Sequence, residues 1–136
     1  METITHVGCA FKDNRGEIYN LFEGQLSHVA MITSKRGSVR ANHYHKLDHQ
    51  YIYLVSGAYE THSVDVRNPS KRQVLNVRQG DIVDTPPMIA HVQKFTEDSV
   101  FLAFSTRLRE EGKYEDDTIS YPVIEGYLNK TLKTTE

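Results

Sequence analysis

The sequence predicts an all-β domain, an antiparallel barrel or sandwich, on three observations. Apolar residues alternate with period two almost throughout the region before residue 106, the mark of half-buried strands. Turn-forming clusters break that alternation at close intervals, and ten short strands so spaced close into a barrel or sandwich. No helical pattern interrupts them, which disfavours a parallel α/β arrangement. Helix is expected to make up under a tenth of the chain, well below the usual third.

Taken in order, the expected strands are Thr5–Phe11, Glu17–Phe22, His28–Thr33, Val39–Tyr44, Gln50–Ser56, Tyr59–Val66, Gln73–Val77, Asp81–Thr85, His91–Phe95 and Val100–Ser105. Their breaks carry turn chemistry: Asp13-Asn14-Arg15-Gly16, Lys35-Arg36-Gly37, Ser56-Gly57, Asn68-Pro69-Ser70, Gln79-Gly80-Asp81 and Thr96-Glu97-Asp98. Beyond them the segment 106–136 is charged at first and then mixed. Tyr114, Ile119, Tyr121, Val123, Ile124, Tyr127 and Leu128 are available for packing. It is expected to lie on the outside of the barrel as an extended stretch with a short helix or turn, and Thr131–Glu136 is expected to fray.

At 136 residues the chain is the size of one domain with one core, spanning 1–136 with its barrel at about 5–105. Hydrophobic residues at 38% and charged residues at 25% suit a folded protein rather than a disordered one. The net charge of -2 points to neither nucleic acid nor an anionic membrane as partner. No apolar run of about 18 residues could cross a bilayer as a helix. The first residues lack the charged and apolar regions of a signal peptide, so a cytoplasmic location is expected. Cys9 is the single cysteine, which precludes an intrachain disulfide; it is expected to be a small buried apolar residue rather than a nucleophile.

Chemistry concentrates in two segments, GSVRANHYHKLDHQYIYLVSG at 37–57 and GDIVDTPPMIAHVQKF at 80–95. His43 and His45 lie two apart on one expected strand, so both leave the same face. Gln50 opens the next strand, with Ile52 and Leu54 on its parity. His91 begins a strand after Pro86-Pro87. Were these strands neighbours, three imidazoles and one amide would converge, and burying such groups without a role is costly. His6, His28 and His62 read as ordinary polar strand residues, and His49 as a loop neighbour of the set. Tyr51 and Tyr53 take the parity opposite to Gln50, which suits packing or a subunit interface.

The spacings Gly37-x5-His43-x-His45-x4-Gln50-x6-Gly57 and Gly80-x5-Pro86-x4-His91 resemble the two-part signature of the cupin superfamily. The resemblance implies an antiparallel jelly-roll barrel with a short C-terminal extension. It also implies a divalent metal (Zn, Mn, Fe or Ni) held by His43, His45, Gln50 and His91, imidazole sites choosing weakly among these ions. Gln50 stands where such sites carry glutamate, which removes one negative charge. Met88 and Phe95 stand where the second motif usually has glycine and asparagine.

Shorter stretches are similar to the cupins that act on nucleotide sugars, the dTDP-sugar 3,4-ketoisomerases and their relatives in capsule and lipopolysaccharide synthesis. These are Asp13-Asn14-Arg15-Gly16, the run Val39–Lys46 with Ala41 in place of glycine, Gln50, and Pro86-Pro87-Met88 followed by Phe95, Asp98 and Val100. This likeness implies a metal-free isomerase or epimerase on a dTDP-4-keto-6-deoxyhexose. His43 and His45 would be its acid/base groups, with Arg40, Gln50 and His91 binding substrate and Arg40 on the diphosphate. A three-histidine metal enzyme (oxygenase, lyase or isomerase) and a non-catalytic sugar-binding or regulatory cupin are the competing expectations. A homodimer is expected, since small barrels with exposed edges commonly pair.

Overall fold

The computed structural model describes residues 1–108 and 112–124. Its strands are β1 (Thr3–His6), β2 (Phe11–Asp13), β3 (Gly16–Ile18), β4 (His28–Ser34), β5 (Val39–His45), β6 (Gln50–Ser56), β7 (Ala58–Asp65), β8 (Asn68–Arg78), β9 (Asp81–Thr85), β10 (Ile89–Phe95), β11 (Ser99–Ser105) and β12 (Thr118–Ser120), with the five-residue helix α1 (Lys113–Asp117) before β12. Two five-stranded antiparallel sheets, ordered β1-β9-β6-β11-β4 and β12-β5-β10-β7-β8, face one another as a jelly roll, and β2-β3 forms a separate hairpin. The all-β expectation is met, with about 60% of the described residues in strands.

One half of the barrel is an apolar plug of Ile52, Leu54, Tyr59, Val77, Val83, Phe95, Phe101 and Ala103, backed by Ile4 and Ile32. Continuing along the same inward parities gives Gln50, Thr61, Ser63, Thr85, His91, Gln93 and Ser105, all buried. The interior is therefore apolar at one end and polar at the other. A second apolar cluster covers the outer face of the β5-β10-β7 region. There Val64, Ala90, Val92 and Val123 are buried, with Val39, Tyr44, Val66, Tyr121 and Ile124 packed against them. Residues 121–124 of the extension thus lie on the outside as expected, and β12 also adds a strand to the edge of β5. Tyr127, Leu128 and Thr131–Glu136 lie outside the described residues.

Strand β5 is irregular in a way the alternation did not foretell. His91 faces His43, yet Val92 faces Ala41, so Asn42 is an extra residue on β5. Ala41 and Asn42 have φ of 69° and 66°, in the left-handed region. That conformation costs an alanine roughly 1–2 kcal/mol, while asparagine tolerates it better. The bulge resets the side-chain parity. Arg40 pairs with the inward Gln93, so Arg40, His43 and His45 share the inner face while Val39 and Ala41 turn outward.

Three sequence expectations need correction. Cys9 is exposed, its thiol donating to the Phe11 carbonyl at 3.2 Å, because β1 ends at His6 and the chain leaves the barrel for the hairpin. The strand expected at Glu17–Phe22 is only Gly16–Ile18, a hairpin strand with Ile18 exposed, while Phe22 leaves it to pack on Tyr51 and Phe104. The turn expected at Asn68-Pro69-Ser70 falls at Val66-Arg67, where the Asp65 carboxylate accepts the Arg67 N–H at 2.9 Å. Pro69 sits within β8, an edge strand that tolerates a missing donor.

The turn glycines offer a paired test. Gly57 has φ of 101°, and a Cβ there would lie 2.1 Å from Ser99 Oγ and 2.6 Å from the Asp98 carbonyl oxygen. Gly37 has φ of 89° with nothing within 4 Å. In urea denaturation Gly37→Ala is expected to cost about 1–2 kcal/mol of backbone strain. Gly57→Ala adds the overlap and is expected to exceed about 3 kcal/mol. Equal losses would contradict the packing described.

Candidate active site

The antiparallel register of β5 and β10 sets His43 directly across from His91. Their ring centroids lie 5.3 Å apart edge-on, and those of His43 and His45 lie 4.8 Å apart. Gln50 enters on β6 of the opposite sheet. All four are buried, at 1–3% exposure. Arg40 is turned elsewhere: its Nε donates to Ser34 Oγ at 2.6 Å and an Nη to the Thr33 carbonyl at 3.0 Å, which ties β5 to β4 across the seam between the sheets.

The structure adds residues with no motif to announce them. Glu2, at 2% exposure, runs beside the polar half of the interior. Its carboxylate accepts hydrogen bonds from Thr61 Oγ1 at 2.7 Å and Thr85 Oγ1 at 2.6 Å, and its Oε2 lies 3.3 Å from His91 Nδ1. Burial works to raise the Glu2 pKa. The hydrogen bond and charge of His91, with the two hydroxyls, outweigh it and hold the carboxyl below its ordinary range.

His45 is braced from the other end of the chain. Its Nδ1 lies 3.3 Å from Thr118 Oγ1 and 3.9 Å from Asp117 Oδ2, and its ring centroid is 5.2 Å from that of Tyr114. Asp117 also accepts the N–H groups of Lys46, Leu47 and Asp48 at 2.9–3.1 Å, fixing the connection between β5 and β6. Asp48, itself 2% exposed, accepts from Ser105 Oγ at 2.7–2.8 Å and from Gln50 Nε2 at 3.3 Å. This explains an amide at position 50, since a glutamate there would meet the Asp48 carboxylate as a like charge.

Three of the remaining four histidines have local partners in view. His6 pairs with Asp81 at 2.8 Å and His62 with Glu60 at 3.0 Å. His49 stacks on Tyr51 with centroids 4.7 Å apart and bonds Asp84, on the outer side of its sheet. Tyr51 packs there against Phe22 as well.

Three imidazoles are the right kind of donor for a transition metal. Yet among the described residues no three or more His, Cys, Asp or Glu side chains are disposed to hold an ion. The Nδ1 atoms of His91 and His45 face carboxylates of Glu2 and Asp117 instead.

An antiparallel barrel with imidazoles from two adjacent strands turned into its polar end defines a histidine-lined β-barrel. The family comparison is more specific: the Cupin family model matches residues 14–125, and the chain belongs to that family. No curated protein matches the sequence. Among solved structures, the 3,4-ketoisomerase of Thermoanaerobacterium thermosaccharolyticum in complex with TDP-4-keto-6-deoxyglucose superposes with a TM-score of 0.71 at 18% identity, over 88% of this chain and 86% of the other. The TDP-quinovose 3,4-ketoisomerase of Campylobacter jejuni gives 0.72 at 16% identity, over 88% and 92%. The dTDP-4-dehydrorhamnose 3,5-epimerase of Sulfolobus tokodaii gives 0.68 at 23% identity, over 88% and 78%. At these identities the likeness establishes the fold.

Replacing Glu2 tests the buried carboxylate. Glu2→Gln is expected to cost about 1.5–3 kcal/mol at neutral pH, the worth of hydrogen bonds to a charged group. Because the folded pKa is depressed, that advantage is present in full above the ordinary glutamate value of 4.5 and is lost as pH falls through the folded value. Denaturation of both proteins across pH 3–7 (a range chosen on the order of the carboxyl titration) should show two curves converging at the acid end. A constant gap would refute an ionised Glu2.

Proposed function

We propose that this cupin is a sugar-nucleotide isomerase or epimerase, moving a proton on a 4-keto-6-deoxyhexose carried by a nucleoside diphosphate, with His43 and His45 as its acid/base groups. One observation carries the reading: beside three imidazoles, the buried amides of Gln50 and Gln93 have polar atoms without partners. Gln50 Oε1 and both amide atoms of Gln93 make no hydrogen bond among the described residues. Such groups cost on the order of 1–3 kcal/mol each unless satisfied, and the hydroxyls of a sugar supply both donors and acceptors. The sugar nucleotides named for the three structural neighbours above are ligands of this kind.

The chemistry follows from acidity. A hydrogen on the carbon next to a ketone leaves as a proton when a base takes it, the C–H electron pair forming a carbon–carbon double bond while the carbonyl oxygen takes up negative charge. An imidazole suits this because it accepts and returns a proton near neutrality. Its neighbour, donating to the developing oxyanion, stabilises the enediolate in a water-poor interior. Returning the proton to the same carbon on the other face epimerises it. Returning it to the former carbonyl carbon, as the adjacent hydroxyl gives its proton to the enediolate oxygen and becomes the ketone, gives the ketoisomer. His43 and His45 are adjacent enough to share these roles. Arg40 ties the seam between the sheets through Ser34 and the Thr33 carbonyl.

Incorporation of solvent deuterium into a dTDP-4-keto-6-deoxyhexose tests the reading directly. The unmodified protein is expected to catalyse exchange next to the ketone without loss on adding a chelator. In His43→Asn or His45→Asn, whichever ring is the base, exchange is expected to fall by roughly 10²–10⁴ with binding retained. Loss of exchange with chelator, with metal depleted in the same variant, would transfer the chemistry to an ion. No exchange across several nucleotide sugars would overturn the isomerase.

A further inference from the structure

Glu2 has the surroundings of a group built to act on something else. It is 2% exposed, yet it stays an anion held by two threonine hydroxyls from different sheets, Thr61 on β7 and Thr85 on β9. Those bonds fix both oxygens, Thr61 on Oε1 and Thr85 on Oε2, and Oε2 is the one that lies 3.3 Å from His91 Nδ1. A carboxylate held for stability alone is an expensive way to fill a barrel, since a well-packed apolar residue often serves as well or better. Its orientation is specific to one ring nitrogen of one histidine.

We propose that Glu2 is the positioning residue of His91: by accepting Nδ1–H it fixes the tautomer and ring plane, so that Nε2 is the unprotonated nitrogen of the neutral ring. A neutral imidazole carries one N–H, and the acceptor bonded to one nitrogen decides which nitrogen keeps the lone pair. His91 is thereby placed across from His43 as a second proton-handling ring on the facing strand rather than a passive wall. Two rings on adjacent strands reach different atoms of a sugar, as a reaction that removes a proton at one carbon and supports charge at the next requires. This role rests on the sugar-nucleotide reading for its chemistry, but not for its geometry.

The test therefore has a readout that needs no substrate. Side-chain ¹⁵N correlation spectra, recorded at alkaline pH with His91 assigned by its replacement with Gln, report which nitrogen is protonated. In the unmodified protein Nδ1 of His91 is expected to carry the proton. In Glu2→Met, of similar length but without an acceptor, the proton is expected to move to Nε2, with His43 and His45 unchanged. Exchange into the ketosugar is then expected to fall about tenfold to a hundredfold in kcat, the scale known for loss of supporting partners, with KM changed less than about threefold. Glu2→Gln, whose amide oxygen can still accept, is expected to recover the Nδ1–H form and part of kcat. An unprotonated Nδ1 in the unmodified protein would overturn the proposal even if Glu2→Met failed to fold, as would an unchanged tautomer in a folded Glu2→Met. If the unmodified protein exchanges no sugar at all, the function proposed above fails while the tautomer result still decides the role of Glu2.

Discussion

Most of what distinguishes this barrel hangs on the bulge in β5. An unbroken strand would send Val39, Ala41, His43 and His45 to one face and Arg40 to the other. With Asn42 inserted, the histidines point inward while Val39 joins the outer apolar cluster. Asn42 then uses its own backbone and side chain to anchor the extension. Its carbonyl accepts the Tyr121 N–H at 3.1 Å, and its Oδ1 accepts the N–H of Val123 at 2.8 Å. The same extension carries Tyr114, Asp117 and Thr118 to His45. Two consecutive left-handed residues thus set both the inner site and the strap that braces it, and their strain is offset by these contacts.

The polar half of the interior is arranged so that buried charge is spread among donors. Glu2 has two hydroxyls and an imidazole, Asp48 has a serine hydroxyl, an amide and the Thr106 N–H, and Asp117 has three consecutive backbone N–H groups. Among the described residues these buried carboxylates are satisfied by hydrogen bonds rather than by ion pairs with lysine or arginine. Among the described residues, the amide of Gln93 and Oε1 of Gln50 stand apart from this arrangement, with no hydrogen-bond partner.

The barrel was legible because its strands are amphipathic, and period two survives in sequence wherever one face is wet and one dry. His43, His45, Gln50 and His91 were legible because they recur at short spacings on strands whose inner faces meet, β5 and β10 in one sheet and β6 in the other. What escaped was of a different kind. Glu2 and Asp117 resemble any surface carboxylate until the fold buries them, and nothing local in METIT or KYEDD announces a partner far along the chain. The bulge escaped because Ala41 disguises a left-handed position where glycine would have signalled it. Cys9 and the Asn68-Pro69-Ser70 turn were misread by composition: a cysteine beside apolar residues looked buried, and a proline looked like a break when it lay on an edge strand.

The braces on His91 and His45 have a consequence for assembly in time. Glu2 reaches His91 only when β1 docks on β9, and Asp117 reaches His45 only when β12 closes on β5. Both pairings join segments far apart in sequence, the kind of contact that forms slowly and at high entropic cost. During synthesis the middle strands can pair early, but the histidines gain their full set of carboxylate neighbours only after residue 120 has left the ribosome. Until then the nascent barrel carries its imidazoles without the groups that orient them, so maturation of the site is the closing event of folding rather than an early one.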